Sequence, residues 1–146
     1  MTTNFANKLN PYLSDLVVMY LKLRDLHWKV KGSMFVQVHL YTEARYDDMA
    51  LKFDEVAEKI LMSGETPVSS IKEYLELATI KELENGDYSD IAVLKEVLKD
   101  LVHLKEEAEA LHKYFDEEGA FSVVAMLEAH IEGYEKEIWF LRSMVA

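Results

Sequence analysis

The sequence contains no cysteine, and only two prolines and five glycines among its 146 residues. Without cysteine there can be no disulfide, no thiolate metal site and no cysteine nucleophile, a composition typical of the reducing cytoplasm. Because proline and glycine are the strongest helix breakers, their scarcity favours long helices over short strands and turns. No apolar run is long enough to span a membrane, so we expect no membrane association.

Basic residues are also in the minority. Sixteen lysines and arginines stand against 27 aspartates and glutamates, which gives a formal net charge of -11. Such a surface repels nucleic-acid phosphates and attracts cations, so DNA is an unfavourable partner. Neither a basic region nor an apolar stretch follows Met1, so we expect no signal peptide and a cytoplasmic protein. The length fits one domain over residues 1–146.

Apolar residues recur at helical spacing in four long segments. The first is predicted to begin at Asn10 and Pro11, because asparagine caps helices and proline suits the first turn. The second ends at the breakers Gly64 and Pro67, and Ser89 is expected to cap the third. The segments run from Asn10 to Gly32, Phe35 to Gly64, Ser89 to Gly119, and Phe121 to about Leu141.

The connection between the second and third segments is long, but it is not featureless. Ser70 and Glu73 have the spacing of a capping box, which predicts a short helix there. Four long helices with one long central connection are typical of a ferritin-like bundle. The predicted fold is therefore all-α, a four-helix bundle with a short extra helix between its second and third long helices.

The second helix carries four candidate metal ligands in two pairs spaced i,i+4: His39 and Glu43, then Asp54 and Glu58. All four fall within an arc of roughly 100° around the helix, at ~3.6 residues per turn. Glu43 and Asp54 are eleven residues apart, which is about 16 Å along the axis. Since metal–ligand bonds are only ~2 Å long, one metal cannot join the two pairs within one chain.

The two pairs are, however, related by symmetry. Glu43 and Asp54 are equidistant from the point between residues 48 and 49, and so are His39 and Glu58. A two-fold axis there would bring His39 and Glu43 of one subunit to Asp54 and Glu58 of its mate, giving two identical sites per dimer. His27 joins the set because it and His39 are equidistant from Ser33 in the turn of an antiparallel hairpin. Two imidazoles and three carboxylates suit iron, with zinc or manganese as other occupants.

The apolar face of the second helix is centred roughly 110° from the arc that holds the four candidate ligands. This face includes Phe35, Met49, Phe53 and Ile60. The ligands therefore avoid the bundle core. A conventional ferritin site would instead need Glu-x-x-His motifs on two helices, and only Glu109 to His112 has that spacing. His103, His112 and His130 have no evident set of carboxylate partners and are interpreted as exposed or hydrogen-bonded histidines.

With these residues in view, the sequence resembles the Dps family of ferritin-like proteins. The resemblance lies in the run from His27 to Gly32, followed by Phe35, His39 and Glu43, and then in the run from Phe53 to Leu61. Segments 73–76 and 138–142 also resemble the family. Glu43 stands where many relatives have aspartate. The chain also begins almost directly at the bundle, without the basic tail that some relatives use on DNA.

The resemblance implies a hollow homododecamer that oxidises Fe(II), preferentially with hydrogen peroxide, and stores the ferric mineral inside. The resemblance also implies the same five ligands: His27, His39 and Glu43 from one subunit, and Asp54 and Glu58 from its two-fold mate. In a ferroxidase these residues both bind the metal and form the catalytic site. Two alternatives remain at this point. The protein could compact DNA, or it could be a metal-free helical scaffold whose polar stripe pairs subunits.

Overall fold

Helices form most of residues 4–146, the part of the chain that this computed structural model describes. The prediction of an all-α four-helix bundle with a short extra helix is confirmed. No helix in this part of the chain is both long and apolar enough to cross a membrane. The helices are α1 (Phe5–Lys29), α2 (Phe35–Met62), α3 (Ile71–Leu77), α4 (Asp90–Glu117) and α5 (Phe121–Val145).

The bundle is built from two hairpins, because α1 packs along α2 and α4 packs along α5, each pair joined by a short turn. Apolar residues at helical spacing on all four long helices meet between the hairpins. Among the fully buried ones are Leu16, Met49, Leu101 and Leu127. The short helix α3 lies in the connection between the hairpins and packs against α1.

Serine caps begin two of the helices, as the sequence predicts. The Ser70 hydroxyl accepts a hydrogen bond from the Glu73 amide at 3.2 Å and donates one to the Glu73 carboxylate at 2.8 Å. The Ser89 hydroxyl accepts from the Ala92 amide at 3.1 Å. These bonds satisfy amides that have no partner within their own helix, and so they fix where α3 and α4 begin.

The predicted start of the first helix at Asn10 is wrong. Asn4 is the cap, and its side chain accepts from Asn7. Glu65, far along the chain, accepts hydrogen bonds from the amides of Phe5 and Ala6, both at 3.1 Å. Because this distant carboxylate satisfies the first free amides, the helix starts earlier than local capping signals indicate.

Asn10 and Pro11 therefore lie inside α1 rather than at its start. The Asn10 side chain accepts a hydrogen bond from the Val68 amide at 3.1 Å, so it holds the connection after α2 against α1. Proline lacks the amide hydrogen that would bond to the preceding turn, and the helix continues through it without that bond.

One element was not expected, a pair of two-residue parallel strands. β1 (Val30–Lys31) follows α1 and β2 (Tyr88–Ser89) precedes α4. Val30 pairs with Tyr88, and Lys31 pairs with Ser89. This short ladder joins the end of α1 to the start of α4, and thereby joins the two hairpins at one end of the bundle.

Candidate metal site

The turn between α1 and α2 decides which residues of the two helices face each other. Gly32 in this turn has φ +138°, a conformation that side chains rarely adopt. A Cβ atom there would lie 2.4 Å from Oδ2 of Asp90, the first residue of α4. The same Oδ2 accepts a hydrogen bond from the Met34 amide at 2.9 Å. The turn is therefore held tightly against α4.

This turn brings His27 of α1 and His39 of α2 face to face. Their rings stack with centroids 3.6 Å apart and planes 14° apart. Nδ1 of His27 lies 2.6 Å from the carbonyl oxygen of His39, and Nδ1 of His39 lies 2.9 Å from the carbonyl oxygen of His27. The two residues thus hold each other through a reciprocal pair of hydrogen bonds across the hairpin.

These bonds determine the tautomer of both rings. A carbonyl oxygen only accepts, so each Nδ1 carries the hydrogen and donates it. In a neutral imidazole the lone pair then belongs to Nε2, the atom that can bind a metal. Metal-binding histidines are usually held in this way, with the other ring nitrogen donating to a carbonyl or carboxylate. In both rings Nε2 is therefore the nitrogen that these hydrogen bonds leave available.

Sequence reasoning did not identify Thr42, which supports this arrangement. Thr42 is fully buried, and its hydroxyl lies 3.2 Å from Nδ1 of His27 and 3.0 Å from the carbonyl of His39. The edge of the Tyr46 ring meets the ring of His27 with centroids 5.3 Å apart. Only the i,i+3 spacing from His39 to Thr42 could have suggested such a contact. Together these neighbours keep the buried His27 ring from rotating.

Glu43 lies beside the histidines. Its Oε1 is 3.9 Å from Nε2 of His27, and its side chain is about half exposed at 48%. The structure therefore places three of the five predicted ligands next to one another, because His27 contacts both His39 and Glu43, although the ligand atoms of the three do not all lie within 4.8 Å of each other. They form an open corner at the surface, with two nitrogen donors and one carboxylate.

Asp54 and Glu58 lie further along α2, both exposed. A hydrogen bond with Asp54, and then the negative charge of Asp54, raise the pKa of Glu58. Two neighbouring carboxylates oppose each other's ionisation, which is why the pKa rises. This pair is roughly 16 Å along the helix axis from Glu43. One chain therefore does not bring all five predicted ligands together.

The other histidines have different surroundings. His130 is buried, hydrogen-bonded through Nδ1 to the Tyr12 hydroxyl at 3.0 Å, and burial lowers its pKa. His112 bonds to Glu128 of α5 at 2.9 Å on the surface rather than in the bundle core. The interpretation that His103 lacks carboxylate partners is wrong, because Asp15 and Glu107 both lie next to it. No feature of the sequence indicates the register of α1 against α4, so this contact could not be inferred.

Phe35 also differs from its predicted role in the apolar core face of the second helix. It is 41% exposed, and its ring stacks against that of His39 with centroids 5.0 Å apart. Residues at the same face further along α2, such as Met49 and Ile60, are buried as expected. Phe35 lies in the first turn of α2, beyond the end of the core. There it covers one side of the His39 ring.

Known proteins share this fold and match this sequence over nearly its whole length. A family model described as a ferritin-like domain matches residues 6–146. DNA protection during starvation protein 2 of Bacillus anthracis is 35% identical over 149 residues, covering 99% of each chain. The DNA protection during starvation protein of Helicobacter pylori is 32% identical over 133 residues, covering 91% of this chain and 92% of the relative.

Solved structures agree with these relatives. A Dps protein from Bacillus brevis has a TM-score of 0.93 and 32% identity, with 97% of this chain and 95% of that chain covered. The Dps protein of Vibrio cholerae, described as a member of a broad superfamily of ferritin-like diiron-carboxylate proteins, has a TM-score of 0.93 and 28% identity. The match covers 100% of this chain and 98% of that one.

The fold and the matching family model define a ferritin-like protein. The relatives and solved structures named above are Dps proteins, and the match covers nearly the whole length of each. The chain belongs to the Dps family, as the resemblance predicts.

Replacing Gly32 by alanine tests whether the turn sets the histidine pair. We expect Gly32→Ala to lower the free energy of unfolding by more than the ~1–3 kcal/mol of a strained backbone alone, because its Cβ would also meet Asp90. Gly86→Ala is the matched control, since Gly86 has φ +150° with open space around its Cβ position. The measurement is urea unfolding at fixed protein concentration. Equal losses in the two variants would show that Asp90 does not constrain the turn.

Proposed function

We propose that the chain is a ferroxidase and iron store, which oxidises Fe(II) with hydrogen peroxide and holds the ferric product in a hollow homododecamer. The observation that carries the proposal is the reciprocal pair of bonds that leaves Nε2 of both His27 and His39 free to bind metal. Glu43 lies beside them, 3.9 Å from Nε2 of His27. Nitrogen and carboxylate donors suit iron and leave zinc or manganese as competitors.

The donor set favours oxidation for an electrostatic reason. When Fe(II) becomes Fe(III), the charge of the ion rises by one, and nearby carboxylates stabilise the product more than the substrate. Two Fe(II) ions give one electron each to one hydrogen peroxide, which takes up two protons and becomes two waters. Peroxide is thereby consumed as a two-electron oxidant. The cytoplasm, where we place the protein, supplies both substrates.

The remaining ligands, Asp54 and Glu58, are proposed to come from a second subunit across the two-fold axis between residues 48 and 49. Exposed apolar residues at both ends of α2 support this pairing, because they obey the same symmetry. Phe35 and Met62 are equidistant from that point, as are Val36 and Leu61, and all four are exposed. An antiparallel pair of α2 helices would bury each against its counterpart.

Removing both imidazoles tests the ferroxidase site. The variant His27→Ala with His39→Ala should lose at least about a hundred-fold in the rate of Fe(II) oxidation by peroxide, since losing even a residue that supports a ligand costs 10–100-fold. Stopped-flow absorbance measures the rate. His112→Ala is the control, because His112 bonds to Glu128 at the surface. If the double variant assembles correctly and keeps the wild-type rate, the ferroxidase site is wrong. The candidate ligands on α2 would then serve only to pair subunits.

Mixing two inactive variants tests whether the site is shared. One chain lacks His27 and His39, and the other has Asp54 and Glu58 replaced by alanine. In a mixed dimer both lesions fall in one site, and the other site keeps all five ligands. Random pairing makes half of the dimers mixed, so activity should return to roughly a quarter of wild type.

The two chains are unfolded together, reassembled, and verified as mixed by mass spectrometry before the rate is measured. Each chain reassembled alone is the control and should remain inactive. Mixed oligomers without any recovered activity would contradict the shared site, and the iron ligands would then have to lie within one subunit.

The names of the relatives raise DNA protection as a second function, and we propose that this chain protects by removing iron and peroxide rather than by binding DNA. Its charge of -11 per chain, about -132 for twelve chains, opposes contact with phosphates. Duplex DNA should therefore not be retarded in a gel at low salt with a metal chelator present. A stable complex under those conditions would overturn this view.

A further inference from the structure

A second group of potential metal ligands lies between α1 and α4, apart from the α2 stripe. It consists of Asp15 on α1 with His103 and Glu107 on α4, each offering one ligand atom within 4.8 Å of the other two. Among residues 4–146, this is the one such group of three or more that a single chain assembles. All its members come from one subunit, so it needs no partner chain.

Asp15 is fixed in place before any ion binds. It is fully buried, and its carboxylate accepts hydrogen bonds from the amides of Thr79 and Ile80 at 2.6 and 2.8 Å. The Thr79 hydroxyl donates a third bond to it at 2.6 Å. Because the loop before α4 holds this carboxylate, one ligand of the group is already oriented.

His103 has the spacing that a metal shell requires. Its Nε2 lies 3.4 Å from Oε1 of Glu107 and 3.8 Å from Oδ2 of Asp15. Ligand atoms at 2.0–2.2 Å from a tetrahedral ion are about 3.3–3.6 Å apart. The observed separations are close to these values, so small side-chain movements would complete the shell. Nε2 now lies 2.7 Å from the Thr79 hydroxyl, a contact that metal binding would replace.

Glu107 supplies a second observation that favours a cation in this group. Its Oε1 is shielded from solvent and makes no hydrogen bond within residues 4–146, although Nε2 of His103 lies 3.4 Å away. Two neighbouring carboxyl groups, one buried and one partly buried, are stabilised by either a proton or a cation between them.

We propose that Asp15, His103 and Glu107 form a second metal site, which binds one divalent transition-metal ion in each subunit. One imidazole and two carboxylates suit Zn²⁺, Mn²⁺, Co²⁺ or Fe²⁺, and water would complete the shell. An ion between the two carboxylates would also contact the unpartnered Oε1 of Glu107. The site would join α1, α4 and the loop that leads into α4.

An ion can reach the group from solvent. The His103 side chain is 42% exposed, and a cavity of about 240 Å³ opens beside it, next to Thr79 and Ile80. Three lysines also line this cavity, but two of them are already paired with carboxylates. Lys22 pairs with Asp100 and Glu96, and Lys99 pairs with Glu96.

Zinc binding to the assembled protein tests the proposal. The starting chain carries His27→Ala and His39→Ala, so that imidazoles of the α2 site do not contribute. Adding Glu107→Gln should remove about one Zn²⁺ per chain in equilibrium dialysis, because the amide can still donate to Asp15 but is a poor ligand. Adding Glu106→Gln instead is the matched control, since Glu106 is the exposed neighbour on the same helix and should leave the zinc content unchanged.

X-ray absorption at the zinc edge identifies the ligands independently. The imidazole signal of the starting chain should disappear when His103→Ala is added. If the Glu107→Gln variant does not fold, the His103→Ala variant serves for the zinc-binding measurement as well. Circular dichroism and sedimentation verify fold and assembly. Equal zinc content with and without the Glu107 substitution, or an imidazole signal that survives loss of His103, would overturn the proposal.

Discussion

The predicted iron ligands depend on the register between α1 and α2, and that register is fixed where the chain turns at Gly32. If α2 were shifted by one residue relative to α1, the reciprocal hydrogen bonds between His27 and His39 would be lost. Each ring reaches only the carbonyl group directly opposite it on the other helix. The turn is held from outside the hairpin, by Asp90 at the start of α4. The position of one bundle helix thus determines the ligand geometry on two others.

The sequence predicted this pairing because, in a short helical hairpin, two residues equally far from the turn lie opposite each other. His27 and His39 are equidistant from the turn, and the structure places them in contact. Helix caps that act over three residues, at Ser70 and Ser89, were predicted for the same reason. Such features depend on neighbours along the chain, so local pattern is enough to find them.

What the sequence did not reveal depends on contacts between distant segments. The start of α1 is set by Glu65, about sixty residues away, and a local pattern therefore placed it wrongly at Asn10. The group of Asp15, His103 and Glu107 requires the register of α1 against α4, which are joined only through long connections. Periodicity assigns residues to a helix face, but it does not determine which residues of another helix lie opposite them.

The two metal sites would stabilise different levels of organisation. A ligand that binds only the folded or assembled state stabilises that state by about 2.7 kcal/mol at a hundred times its dissociation constant. At the proposed shared site this energy would favour the dimer, because the cation would lie beside Asp54 and Glu58, whose hydrogen bond and charge raise the pKa of Glu58. The dimer would not depend on it, because exposed apolar residues such as Val36 and Leu61 already favour pairing. At Asp15 the same energy would act within one subunit. Iron could therefore enter and leave the shared site while the second site kept α1 and α4 joined.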